Sequence, residues 1–158
     1  MFSPKHHFLK LARHNLRANT AVAKVLNSID PNLIDKEVKS SFTSIRKTAF
    51  HIWDAEYIWL ARLRSEPLLQ FPSKIAPASI SKFPDGALQL LTFIQMQNDA
   101  FFFDSTKYKN KAEIEMINEN AEILFHIFNH SSFHRGQLIT LLRSLAYEGK
   151  MPRTDIIS

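Results

Sequence analysis

Residues 124–145 constrain this chain more than any other stretch. Leu124, Phe128, Ser131, Leu138, Leu142 and Leu145 fall on one face at about 100° per residue, the mark of a long helix with one side in a core. Within it His126, His130 and His134 recur every fourth residue. Residues four apart stand one above the other on a helix, so two neighbouring imidazoles can share a metal ion. All three cannot, because the outer pair lies about 12 Å apart along the axis. Three readings follow: a surface or partner-facing histidine row, a metal pair at His130/His134, or a pair at His126/His130. The helical wheel puts His134 roughly 40° from the centre of the apolar stripe, His130 about 80° and His126 about 120°, which favours His130/His134.

Three more amphipathic segments are legible. Phe8, Leu11, Ala12, Leu16, Ala23 and Leu26 predict a helix from Pro4 to Asn27, broken by Asp30-Pro31-Asn32. A second helix is predicted after a cap at Ser40 or Ser41, running through Ile45, Ile52, Trp53 and Trp59 to Leu63 and stopping before Glu66-Pro67. Residues 65–84, with Pro67, Pro72, Pro77 and Pro84, read as a long connection that crosses the fold or covers a site. A third helix is expected over Asp85–Ser105, with Phe101-Phe102-Phe103 in core and interface. Residues 106–116 read as a charged loop, briefly extended at Glu113–Met116. The last helix is expected from near Asn118 to near Tyr147, with Gly149 and Pro152 beyond it.

Four long helices predict an all-α four-helix bundle with a long crossover connection, formed as a single domain over residues 1–158. Bundles build metal sites from side chains on facing helices. His51, in the middle of the second helix, would complete such a site with His130 and His134. His7 and His14 are weaker candidates on the first helix. Glu56 and Arg135 each fall near the centre of an apolar stripe. A charge facing a core is costly unless paired, so the two are expected to face each other, with Gly136 allowing close approach. The apolar second helix and Phe101–Phe103 offer surface for a homodimer.

Composition removes several classes of function. The chain has no cysteine, hence no disulfide, thiolate ligand or thiol nucleophile of its own. Any metal must be held by histidine, carboxylate or water. No apolar leader opens the sequence and no run is long enough to span a membrane, so the cytoplasm is the expected compartment. The net charge of +5 allows an acidic partner. Its basic residues are dispersed, however, with no continuous run and no interleaved aromatics, which argues against nucleic acid.

The runs Ser-Phe-Thr-Ser-Ile (41–45), His-Ile-Trp-Asp-Ala-Glu-Tyr-Ile-Trp-Leu-Ala-Arg-Leu (51–63) and Asn-His-Ser-Ser-Phe-His-Arg-Gly-Gln-Leu (129–138) resemble the DinB family of metalloenzymes. The resemblance extends over nearly the whole chain in element order. It implies a four-helix bundle with a long crossover and a divalent metal on three histidines, one from the second helix and two from the fourth. Those positions match His51, His130 and His134. The wider superfamily includes thiol-dependent isomerases and S-transferases. The resemblance therefore implies a small-molecule substrate and a thiol supplied from outside. Three neutral imidazoles suit zinc or nickel better than manganese or iron. They leave an open position at which water, a thiol or a carbonyl can be activated. The functions expected are a metal-dependent hydrolase or thiol transferase or isomerase, and, as the alternative, a stress-related metal- or ligand-binding protein without turnover.

Overall fold

The computed structural model describes residues 3–67, 70–75 and 78–157; Pro77 of the long connection lies outside them. The described residues are mostly helical, with five α-helices and one two-stranded sheet. Helix α1 spans Pro4–Asn27, with Pro4 at its first turn and the Ser3 hydroxyl accepting from the His6 N–H. The Asp30-Pro31-Asn32 break opens a short helix, α2 (Pro31–Asp35), because the Asp30 carboxylate caps Asn32 N.

Helix α3 (Ile45–Leu63) starts later than expected. Its cap is Ser44, whose hydroxyl accepts from Lys47 N, rather than Ser40 or Ser41. The Val38 N–H bonds the Thr43 carbonyl, which holds the residues between them outside the helix. The long connection contains two 3₁₀ turns, Pro72–Lys74 and Ile80–Lys82. The Asp54 carboxylate of α3 fastens the first by accepting from the backbone N and hydroxyl of Ser73.

The third long helix, α4, spans Asp85–Met96 and stops nine residues before its expected end at Ser105. Gln97 turns extended, and the Asn98 side chain caps a new 3₁₀ turn, Asp99–Phe103. The expected loop then proves to be an antiparallel hairpin, β1 (Ser105–Lys109) and β2 (Glu115–Glu119), paired from Ser105↔Glu119 to Lys109↔Glu115. The all-α expectation is corrected by this hairpin. The Asn110 side chain accepts from Ala112 N and Ile114 N and so closes the turn, with Glu113 in the left-handed region. Helix α5 (Asn120–Ser144) follows β2 directly.

Helix α3 packs against α5 and α4, and α1 against α4 and α5. The core divides into two apolar clusters. One joins Leu26, Ile45, Ile52, Phe83 and Leu138; the other joins Phe8, Leu60, Leu90, Leu124 and Phe128. The N-terminal halves of α1 and α5 enter the second cluster, and that of α3 the first. Thus α1 and α5 run one way and α3 the other. Phe83, just before α4, belongs to the first cluster and Ile94 to the second, so α4 runs parallel to α3. A parallel pair cannot be joined by a tight turn, which accounts for the length of the connection between them. Between the clusters lies a buried polar layer of Asn15, Asn19, Glu56, Ser131 and Arg135.

Candidate metal centre

The three imidazoles expected from the sequence meet in space. Each of His51, His130 and His134 offers one ligand nitrogen, and these nitrogens lie within 4.8 Å of one another. Nε2 of His130 is 3.1 Å from Nε2 of His51 and 3.1 Å from Nε2 of His134. One ring nitrogen cannot be well satisfied by two others at once. A cation shared by all three lone pairs satisfies the set. Zinc–nitrogen bonds of about 2.0–2.1 Å in a tetrahedron put ligand nitrogens about 3.3 Å apart, so the donor set fits a divalent ion.

Burial follows the wheel: His134 is buried, His130 half-buried and His126 exposed. His126 packs its ring on Trp59, with its centroid 5.7 Å from that of His130, outside the cluster. His14 lies beside Arg17 on α1 and takes no part.

Residues around the triad fix its orientation. Gln137 Oε1 is 2.7 Å from Nδ1 of His134. An amide oxygen only accepts, so Nδ1 carries the proton and Nε2 keeps its lone pair for the centre. Phe42 stacks on His51, centroids 4.1 Å apart, and meets His134 edge-on. It can do so because the late start of α3 leaves Phe42 outside the helix. Sequence reading assigned no role to Phe42 or Gln137. The glutamine was detectable: it lies three residues after His134, the spacing at which helical side chains meet.

Burial keeps two of the three rings from taking up a second proton. Burial, then the charges of His134 and Lys111, pushes His51 down to about 4. Burial, then His134, His51 and His126, pushes His130 down to about 4 as well. Both rings are therefore neutral at pH 7, as metal ligands must be. Lys111 stands at the hairpin turn and also lines a cavity of about 780 Å³ between the end of α3 and the hairpin. Arg62 lines it too, its guanidinium between the rings of Trp59 and Tyr108 at 4.4 and 4.5 Å.

The expected contact between Glu56 and Arg135 does not form, although both are buried to within 1 %. Two asparagines of α1 stand between them. Asn15 and Asn19 donate to Glu56 Oε1 at 2.7 and 3.0 Å and accept from Arg135 Nη1 at 2.5 and 2.8 Å. Ser131, the neighbour of His130, donates to the same Oε1 at 2.9 Å. Each amide offers a donor on one side and an acceptor on the other, so it matches a carboxylate to a guanidinium that cannot touch. Burial pushes the Glu56 carboxyl up, against the pull of those bonds and of Arg135. The expected close approach at Gly136 is also absent, since a Cβ there meets nothing within 4 Å. The close approach is at Gly86 of α4, where a Cβ would lie 2.8 Å from Glu56 Oε2.

Fold and site together define a mostly helical protein with a three-histidine cluster able to hold a metal ion. The chain belongs to the DinB family, whose sequence profile matches residues 1–153. It is similar to Protein DinB of Bacillus subtilis (strain 168), at 23 % identity over 149 residues, 87 % of this chain and 86 % of the relative.

Proposed function

We propose that this chain is a single-domain metalloenzyme over residues 1–158, a four-helix bundle with a long crossover that holds a divalent ion on His51, His130 and His134. The observation that carries this reading is the meeting of three Nε2 atoms, 3.1 Å apart at His130, with Gln137 holding the proton of His134 on the far side of its ring. Nitrogen donors without thiolate suit zinc or nickel. A bound ion would supply Lewis acidity toward a water, a thiol or a carbonyl.

The chain's own residues bind and orient. Phe42 packs against the rings of His51 and His134, and Phe133 meets His134 edge-on. The cationic cavity beside the hairpin, lined by Lys111, is of a size to admit a small-molecule substrate. With no cysteine in the chain, a thiol reactant comes from outside. The reaction class supported is hydrolysis, or transfer or isomerisation using a low-molecular-weight thiol, in a cytoplasmic homodimer. No helix among the described residues is long and apolar enough to cross a membrane.

The test is metal content by mass spectrometry, followed by turnover assays with small thiols and electrophiles. One divalent ion per chain and thiol- or water-dependent turnover are expected. Protein that takes up no zinc or nickel overturns the reading; metal without turnover leaves a binding protein.

A further inference from the structure

The outer face of α5 is unlike that of an ordinary surface helix, which is charged or polar along its length. Between Glu122 in the first turn and Arg143 in the last, no exposed residue of α5 is aspartate, glutamate, lysine or arginine. Arg135, the one such residue in that span, is buried. Phe125 and Phe133 stand 64 % and 63 % exposed. Ile156, which lines a cavity with Phe125, Asn129 and Ser132, widens the apolar area.

Glu122, Phe125, Asn129, Ser132, Gly136 and Arg143 follow one another at intervals of three, four or seven residues, the spacing that sets one helix face against another. Glycine inside a helix weakens it relative to alanine. A Cβ at Gly136 meets nothing within 4 Å, so the chain's own packing gives no reason for the glycine. A missing side chain on an exposed face lets another backbone come close.

We propose that this face binds a second copy of the chain, α5 against α5, antiparallel about a two-fold axis between Ser132 and Phe133. This is the interface of the homodimer proposed above, and it stands only if that dimer exists. A two-fold interface is self-complementary, so each contact occurs twice. In this register Glu122 meets Arg143 of the second copy at both ends. Asn129 lies over Gly136 of the second copy, and Phe133 over its Ser132. A parallel pair would set Glu122 on Glu122 and Arg143 on Arg143 instead. Within the chain Glu122 accepts from Asn118 and Arg143 donates to the Tyr147 carbonyl, but among the described residues neither has an ion-pair partner.

The test is sedimentation equilibrium of the zinc-treated protein at micromolar concentration, with charge-swap variants. Within one chain Glu122 and Arg143 are about 32 Å apart along the axis, at about 1.5 Å per residue, too far to interact. Glu122→Arg and Arg143→Glu should each weaken the dimer about tenfold, because symmetry turns two attractive pairs into two repulsive ones. The double variant should return to within about threefold of wild type. Gly136→Leu should be monomeric, with its helix content intact by circular dichroism. Single variants as tight as wild type, or no rescue in the double variant, overturn the proposal. A dimer that survives Gly136→Leu and dissociates in Phe103→Ser overturns it too, and places the interface at the end of α4. A monomeric wild type overturns both this interface and the homodimer.

Discussion

Oε1 of Gln137 lies 2.7 Å from Nδ1 of His134, one helical turn along α5. A ligating imidazole works through one nitrogen, and the bond made by the other sets which one. Gln137→Leu removes the acceptor without adding bulk. Divalent affinity should fall about 10–100-fold, the usual loss when such a partner is removed, while Gln137→Glu should keep or tighten binding. Competition against a chromophoric chelator reads both. Unchanged affinity in Gln137→Leu would show that Gln137 does not orient the ligand.

The choice of ligands is tested by four variants. His51→Ala, His130→Ala and His134→Ala should each abolish stoichiometric divalent binding, because two imidazoles and water hold an ion weakly. His126→Ala should retain it, since that ring packs on Trp59 outside the cluster. Mass spectrometry of the desalted proteins decides. Loss of metal in His126→Ala together with retention in His134→Ala would shift the pair one turn toward the start of α5.

What could be read from the sequence depended on whether the signal was periodic. The spacing of His130 and His134 and the apolar stripe of α5 survive any error in helix ends, and with the family motif they led to the residues that meet. The hairpin was hidden because Lys107, Lys109 and Lys111 read as a solvated loop, whereas Thr106 and Tyr108 alternate inward against the core. Glu56 and Arg135 were visible as charges on apolar faces. Their mediators were not, because Asn15 and Asn19 sit on a helix whose stripe they interrupt, and asparagine carries no charge to flag it. The boundary at Ser44 turned on a choice among neighbouring serines that only the Val38–Thr43 bond settles.

The metal-free protein should lose stability in acid for a stated reason. His51 and His130 titrate near 4 in the folded chain and near 6.5 when unfolded. The unfolded chain therefore takes up protons first, and stability falls as pH drops through 6.5 toward 4. Glu56 acts in the opposite direction, because its raised folded value favours the folded state as pH falls toward 4.5. Comparing wild type with His51→Ala cancels the Glu56 contribution. The urea midpoint of wild type should drop more steeply between pH 7 and 4 than that of the variant. Parallel curves would mean that His51 is not held neutral by the fold.

Assembly follows from surface left uncovered. Met96 at the end of α4 is 80 % exposed, and Phe103 in the 3₁₀ turn that follows is 71 % exposed. Large apolar side chains grouped on a surface mark interaction sites. The homodimer proposed above should give twice the chain mass by light scattering at micromolar concentration. Phe103→Ser should lower that mass if the end of α4 and the following 3₁₀ turn form the interface. A monomeric mass for the wild type counts against the dimer altogether.

Gly86→Ala tests the polar layer from its opposite side. Alanine in place of glycine, where there is room for the methyl, normally stabilises by about 0.4–1 kcal/mol. Here the added methyl would lie 2.8 Å from Glu56 Oε2, 3.1 Å from Glu56 Cβ and 3.1 Å from Trp53 Cδ1. Glu56 cannot swing away without releasing Asn15, Asn19 and Ser131 from Oε1. Overpacking of this kind costs about 1–3 kcal/mol, so the sign should reverse and the variant should be less stable than wild type by urea denaturation. Asn15→Ala should also destabilise, by about 1–3 kcal/mol, because it leaves a buried carboxylate and a buried guanidinium each one bond short. If the two act on one network, their effects should not add: Glu56, already displaced by the new methyl, has less to lose when Asn15 is removed. A stabilised Gly86→Ala, or strict additivity of the pair, would show that α4 is not pressed against Glu56 and that the layer is looser than its hydrogen bonds imply.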